Sequence, residues 1–434
     1  MKEKGIRFVA YLSPPQENVY ENLKNPNCIT DEHYRNMCDC GFDYAIGLFE
    51  DKEKYYRQAM EMCRKFGVKY FVRDQFEGKS LEWIIDDRGK NGTPEELLDR
   101  NADVLKTRFD SYREFPAFFG VLASDEPCAD KFPAIRTVSE WFYRNCPNVE
   151  FEVNLLPIYA SSEQLSGFPD KRYSYTQYLD DYVRIVEPRT LSYDFYALGK
   201  NDKTGELTIN PDYLYNLELV AHKAKEIGVP FYTFLQTIGH WSFRTIERYS
   251  ELAWQVYTAL AFGAGGAQTF TYWTLLGDHE KDGSRITHGV VGQNGELTNT
   301  YFACKETIAE VRAFEKEYAT FKWLGARGVN ADADNPNPMI SRLKNEIGFC
   351  GVIRGVKTTG DVVIGFFGKP YSSAILVSNV TDPTPDTSAE VTIFVSAKEA
   401  TVYYGGTKTV RDVSSGELKL TLRGGSGAFV IFKG

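Results

Sequence analysis

From the amino terminus to residue 322, short apolar runs alternate with segments of helical period. The runs lie at 6–13, 42–49, 68–72, 117–123, 149–156, 190–193, 230–235 and 267–272. They predict buried strands. The stretches between them carry helix signals. Thr93-Pro94-Glu95-Glu96 has the form of a capping box: the Thr93 hydroxyl accepts from the Glu96 amide, the Glu96 carboxylate reaches back, and proline suits the first turn. Asp51-Lys52-Glu53-Lys54 opens a helix over 55–66 that Gly67 stops, and Asn210-Pro211-Asp212 opens one that runs to Ile227 and ends at Gly228. Within 244–262, Leu252, Val256 and Leu260 make a buried stripe at i, i+4 spacing. Eight strands, each followed by a helix, are the count of a closed parallel barrel.

Past Phe321-Lys322-Trp323 the pattern changes. Val/Ile/Thr runs at 348–354, 361–367, 374–377, 390–395, 400–404, 418–422 and 428–432 are broken by Gly, Pro, Asn and Asp. Strands at that spacing predict a sandwich. The expected fold class is α/β: a (β/α)8 TIM barrel over residues 1–322, followed by a C-terminal antiparallel β-sandwich over 323–434. The sandwich reads as support for the barrel, with Tyr403 and Tyr404 as strand residues.

Composition narrows the partners more than the fold. With 43% hydrophobic and 25% charged residues among 434, the chain can bury a large core. Its net charge of -9 argues against nucleic acid and anionic membrane as partners. No apolar stretch approaches the ~20 residues of a membrane span, and the opening Met1-Lys2-Glu3-Lys4-Gly5-Ile6-Arg7 lacks a signal-peptide core. A cytoplasmic protein is expected, or a secreted one with its signal removed. The 8 cysteines form no CxxC pair and no histidine lies at metal-ligand spacing, so reduced structural thiols and no metal or cofactor are expected. Aromatics make up 14% of the chain, which suits sugar-stacking walls and an ordinary core equally.

The strongest chemical signal is the run from Phe118 to Pro127, an apolar strand that halts at Asp125 and Glu126. In a parallel barrel the carboxyl ends of the strands form the rim where active sites sit, and a glutamate there can protonate the leaving oxygen of a glycosidic bond. The residues just past each strand share that rim: Glu50; Arg73 and Asp74; Asp125 and Glu126; Asn154; Tyr193, Asp194 and Tyr196; Gln236, His240 and Trp241; and Trp273. Acids, amides and an arginine suit sugar hydroxyls, and the aromatics suit apolar sugar faces.

Glu126 is the candidate acid, because an ionised Asp125 beside it raises its pKa. The alternative pairs Glu126 with Arg73 across the barrel mouth. Asp125 either orients Glu126 or a substrate 2-substituent, or packs inward as a salt-bridge partner. Asp194 is a second catalytic group, a hydroxyl ligand or a loop cap. Asn154 is a hydroxyl ligand or a turn residue, and Trp273 a stacking floor or a core residue. His240 reads as positioning a group or hydrogen-bonding a loop rather than as a base, and His222, within a helix, as packing. The polar stretch 277–283 reads as a lid over the rim.

With these residues in place, the chain resembles the barrel glycoside hydrolases. A barrel with a trailing sandwich is similar to many clan A enzymes, which carry Asn-Glu on the fourth strand with Glu as acid/base; here Asp125-Glu126 stands there. The clan's nucleophilic Glu ends the seventh strand, where this chain has Phe234-Leu235-Gln236-Thr237, and Gln cannot serve as that nucleophile. Asp125-Glu126-Pro127 also looks like the adjacent Asp-Glu of barrel hexosaminidases of families 20 and 123. There the 2-acetamido oxygen of the substrate is the nucleophile, Asp polarises it and Glu is the acid. Leu191-Ser192-Tyr193-Asp194 is similar to the Tyr-Asp on the sixth strand of family 18 chitinases.

The resemblance implies a glycosidase acting on a carbohydrate, with Glu126 as general acid and Asp125 as its partner. Retaining carboxyl pairs stand ~5–5.5 Å apart and inverting pairs ~6.5–9.5 Å. Groups at the fourth and sixth strand ends suit the wider range, so Asp194 is a candidate base of an inverting route beside the substrate-assisted one. Another class is a non-catalytic carbohydrate-binding barrel, motivated by Gln236. A lyase or aldolase would need a rim lysine or a metal cluster, and neither stands out in the sequence.

Overall fold

A computed structural model of the protein describes residues 5–19, 24–76, 78–201, 203–239, 242–276 and 287–433. Eight strands close into a parallel barrel: β1 Arg7–Tyr11, β2 Tyr44–Gly47, β3 Lys69–Arg73, β4 Phe118–Asp125, β5 Glu150–Leu155, β6 Leu191–Tyr193, β7 Phe231–Gln236 and β8 Gly266–Phe270. Each pairs with its sequence neighbour in the barrel, and β8 closes on β1. All eight overlap the apolar runs of the sequence, with ends shifted by at most two residues; β4 runs two residues further, to Asp125.

The helix signals act as the residues dictate. Thr93 and Glu96 cap the helix Pro94–Arg113 reciprocally. Gly67 and Gly228 end Glu53–Phe66 and Tyr213–Ile227 in the left-handed conformation that glycine tolerates best. His222 packs edge-on against Trp323, with ring centroids 5.2 Å apart. All eight cysteines are free thiols. Among the described residues no helix is long and apolar enough to cross a membrane.

Alternation along each strand sends every second side chain into the barrel. Arg7 and Tyr11, four apart on β1, therefore fill opposite ends of one interior. At the amino end the Arg7 guanidinium lies 4.3 Å from the Tyr232 ring centroid, 4.8 Å from that of Tyr44 and 5.1 Å from that of Phe119, and binds Glu150 through two hydrogen bonds. This plug closes the bottom of the barrel. At the carboxyl end Tyr11 meets Phe234 edge-on at 4.9 Å.

The sandwich follows with β9 Lys322–Val329, β10 Ile353–Thr358, β11 Val362–Lys369, β12 Ser372–Asn379, β13 Ala389–Val395, β14 Glu399–Tyr404, β15 Thr407–Asp412, β16 Glu417–Leu422 and β17 Gly427–Lys433. One sheet runs β9-β11-β12-β17-β14-β15 and the other β10-β13-β16. The strand β11 is apolar on both faces for a reason. Val362, Ile364 and Phe366 face the sandwich interior, while Val363 and Phe367 join the core of the barrel. The sequence reading lacked β9 and β15. Thr407–Asp412 is an edge strand with largely exposed, polar residues, so it shows no apolar run.

Candidate active site

The strand β4 carries the centre of the site. A bulge between Leu122 and Ser124 brings Asp125 level with Asn154 on β5. The chain then turns sharply. Glu126 takes a left-handed φ of 46°, uncommon for a residue with a Cβ, and its N–H donates to the Asn154 carbonyl at 2.8 Å. Pro127 follows, its carbonyl held by the Tyr178 hydroxyl at 2.7 Å. The turn separates the two carboxylates: Asp125 stays half-buried and Glu126 reaches the exposed rim.

Asp125 accepts on both oxygens, from the Tyr11 hydroxyl and from Asn154 Nδ2, each at 3.1 Å. Asn154 is fixed in turn by the Ser192 hydroxyl, which donates to its Oδ1 at 3.1 Å. Asp194 follows β6 and is buried, and its carboxyl lies close enough to that of Glu126 for each to shift the other. Partial loss of water around its carboxyl at the barrel mouth first, then the neighbouring Asp125, push Glu126 above the ordinary range, while Asp194 pulls it back. Burial, then the charges of Glu126 and Asp125, push Asp194 far up. Asp194 Oδ1 has no hydrogen-bond partner among the described residues.

The groups at the fourth and sixth strand ends thus lie side by side on the rim. The pairing of Glu126 with Arg73 is replaced. Arg73 grips Glu82 with two hydrogen bonds, at 2.8 and 3.1 Å, and reaches Asp125 and Tyr11 only through its charge.

An apolar wall adjoins the acids. Tyr196 lies 5.3 Å from Phe270 and 5.6 Å from Phe243, and Phe270 continues to Tyr11 at 5.9 Å. Tyr159, 42% exposed on the loop after β5, packs edge-on against Phe195 and feels the charges of Asp194 and Glu126. Glu50 is buried at the end of β2. It accepts from the Tyr70 hydroxyl at 2.6 Å, beside a cavity of about 240 Å³ lined by Tyr56, Gln75 and Phe76, and burial pushes its pKa up to about 6.

Four candidates stand elsewhere. Asp74 is wholly buried, with one oxygen on Arg108 at 2.6 Å and the other on the Leu81 amide at 3.1 Å, so it anchors the loop after β3. Tyr193 turns out of the barrel towards Tyr175 and Tyr213 of the surrounding helices. Gln236 donates to the carbonyls of Leu198 and Arg244 at 2.7 and 2.6 Å and accepts the Leu198 N–H at 3.0 Å, leaving nothing for a sugar. Trp273 is fully buried and packs edge-on against His33 at 4.9 Å, so it is core and not a floor. His240, Trp241 and the segment 277–283 lie outside the described residues.

Sequence reading missed Tyr11, Tyr159 and Phe270. Tyr11 carried the one usable signal, an aromatic polar tip near the carboxyl end of an apolar strand. A separate cavity of about 910 Å³ opens at the opposite end of the barrel, around Arg7, Glu150 and Arg312. Its ionic groups are paired with one another, as befits the end of a barrel that serves stability.

The fold and the rim carboxyls define a (β/α)8 barrel with a C-terminal β-sandwich, and solved structures share that architecture. The β-galactosidase from Bacillus circulans sp. alkalophilus matches over 99% of this chain and 99% of its own, with a TM-score of 0.54 at 9% identity. The β-galactosidase from the psychrophilic Marinomonas ef1 matches over 74% of this chain and 62% of its own, with a TM-score of 0.51 at 10% identity. A β-galactosidase from the Antarctic haloarchaeon Halorubrum lacusprofundi matches over 71% and 58%, with a TM-score of 0.49 at 12% identity. The match thus spans less than two-thirds of the last two proteins. At such identities the likeness is one of fold. No family model matches the sequence, and no curated protein does.

Proposed function

We propose that the protein is a glycoside hydrolase in which Glu126 gives its proton to the departing glycosidic oxygen. The observation that carries this reading is the turn that sets Glu126 exposed on the rim, beside the fixed Asp125 and near the buried Asp194. Like charges this close oppose ionisation of Glu126 and Asp194, and both are pushed up. One proton stays on the pair, and Glu126 is the exposed member able to deliver it. The adjoining aromatic wall suits the apolar face of a sugar. The shared fold of the β-galactosidases agrees with the class.

The finer reading is assistance by the substrate. The strong mutual influence of Glu126 and Asp194 favours a close pair over the ~6.5–9.5 Å spacing of an inverting acid and base, which counts against Asp194 in that role. Gln236 leaves the seventh strand without a nucleophile. A 2-acetamido oxygen can supply the missing attack. The bond from the anomeric carbon to the leaving oxygen breaks, a bond from that carbon to the acetamido oxygen forms, and the Glu126 proton goes to the leaving group. Asp125, held by Tyr11 and Asn154, is placed to accept the acetamido N–H. Water then opens the cyclic intermediate, with Glu126 taking its proton. This agrees with the resemblance of Asp125-Glu126-Pro127 to the hexosaminidase families.

Aryl glycosides with and without a 2-acetamido group test the proposal. Turnover of the acetamido substrates alone is expected, with kcat lowered ~10²–10⁴-fold in Glu126→Gln. Equal turnover of both series removes substrate assistance. The locked Gln236 favours one other reading, a barrel that binds sugar without cleaving it. Binding with no turnover, equal in wild type and Glu126→Gln, would support that.

A further inference from the structure

Glu152 has no part in the steps above, yet it lies inside the barrel within hydrogen-bonding reach of their machinery. It sits on β5 two residues before Asn154, so the pleat turns both side chains inward, and it is 1% exposed. Gln268 Nε2, from β8, donates to Glu152 Oε1 at 2.5 Å and reaches Ser192 Oγ, on β6, at 3.0 Å. Ser192 donates to Asn154 Oδ1 at 3.1 Å, and Asn154 Nδ2 donates to Asp125 Oδ1 at 3.1 Å. Every link points the same way, from the Gln268 amide towards Asp125. Gln268 Oε1 is buried with no partner among the described residues, so the amide has an acceptor in reserve.

That reserve gives the chain of hydrogen bonds two arrangements. With Glu152 ionised, Gln268 donates to it. With Glu152 protonated, the carboxyl becomes a donor, and the amide satisfies it by turning its oxygen over. The turn withdraws Nε2 from Ser192 and frees the serine hydroxyl to reorient, which loosens Asn154 and its hold on Asp125. We propose that Glu152 is a positioning residue, whose switch between acceptor and donor passes through Gln268, Ser192 and Asn154 to Asp125 and so sets how the Glu126–Asp194 pair holds its proton. The inference rests on reading those three carboxyls as the reactive group.

The switch falls in a useful range. Burial, with Glu150 adding to it, pushes Glu152 up to about 7, while Arg7 and the Gln268 hydrogen bond oppose the rise. The charged and titratable groups facing it are Arg7 from β1, Glu150 from its own strand, Asp125 from β4 and Tyr182 from the surrounding helix; Tyr232 on β7 faces Arg7.

Carboxyl ¹³C NMR of protein labelled in its glutamate side chains tests this without any substrate. The Glu126 resonance is assigned by its loss in Glu126→Gln. In wild type its titration is expected to show two inflections, one at the Glu152 value of about 7. That inflection is lost in Glu152→Gln. It is also lost in Ser192→Ala, which keeps the Glu152 charge and cuts only the relay, and combining the two changes adds nothing. Gln268→Met cuts the same relay at another link, should Ser192→Ala not fold. A single inflection in wild type overturns the proposal, as does one near 7 that persists when the relay is cut, since charge alone then explains it. If the titration behaves as expected but no glycoside is turned over, the proposed function fails and the relay stands.

Discussion

An ionised Asp125 next to Glu126 is unfavourable, and the burial of Asp194 behind them compounds the cost. A retained proton relieves both. The sign of the pH dependence follows. A group that works as an acid is active below its raised pKa and loses activity as pH climbs through it. Asp125→Asn removes the like charge and keeps the hydrogen bond from Tyr11, so the Glu126 pKa falls. The basic limb of the kcat/KM profile is expected to move to lower pH, although burial, the larger cause, preserves part of the elevation. An unmoved limb in the pH–rate profile of Asp125→Asn would remove Asp125 from this role. The central carboxylates were legible in the sequence because two adjacent acids at the end of an apolar strand have few structural uses. Tyr193 was misplaced, and Trp273 was left open between floor and core, because which way a side chain points at a strand end depends on strand parity, and an error of one residue there inverts it. Tyr159 gave no signal, since an exposed loop tyrosine looks like any other surface residue.

At the level of the element, the loop after β3 shows how a rim acid can be structural. Asp74 is buried at the start of a short helix, and Arg108 reaches it from the long helix Pro94–Arg113. The pair pins the loop that follows Arg73 and carries Gln75. Burial pushes Asp74 up to about 6 despite the guanidinium beside it, so desolvation is the larger cause. Removing one partner of such a pair strands the other. Arg108→Ala is expected to cost about 3–5 kcal/mol in denaturant unfolding. Asp74→Asn should alter stability while leaving KM for any bound sugar unchanged, which separates an anchor from a ligand. All eight barrel strands could be read from their apolar runs because parallel strands are covered on both faces. In the sandwich, the edge strand β15 needed the fold to reveal it, because polar residues at an exposed edge resemble a loop.

Across the whole molecule, barrel and sandwich share one apolar core, which joins Phe314 and Tyr318 to Phe367 and Phe429. The contact is close at Gly365 on β11, where a methyl group would stand 2.0 Å from the Ala261 carbonyl oxygen, the same oxygen that accepts from Trp323 Nε1 at 3.0 Å. Gly365→Ala is expected to destabilise the protein by about 1–3 kcal/mol and to split thermal unfolding into two steps as the sandwich lifts away. A single transition at the wild-type temperature would show that the contact has slack. Gln236 bears on how the fold could be re-engineered. Its amide is bolted to two carbonyl oxygens that carry the chain past β6 and β7. A carboxylate substituted there would face those oxygens with no proton to offer, so one mutation could not install a conventional nucleophile at that position. Conversion to the two-carboxylate chemistry of other barrels would require both connections to be rebuilt first.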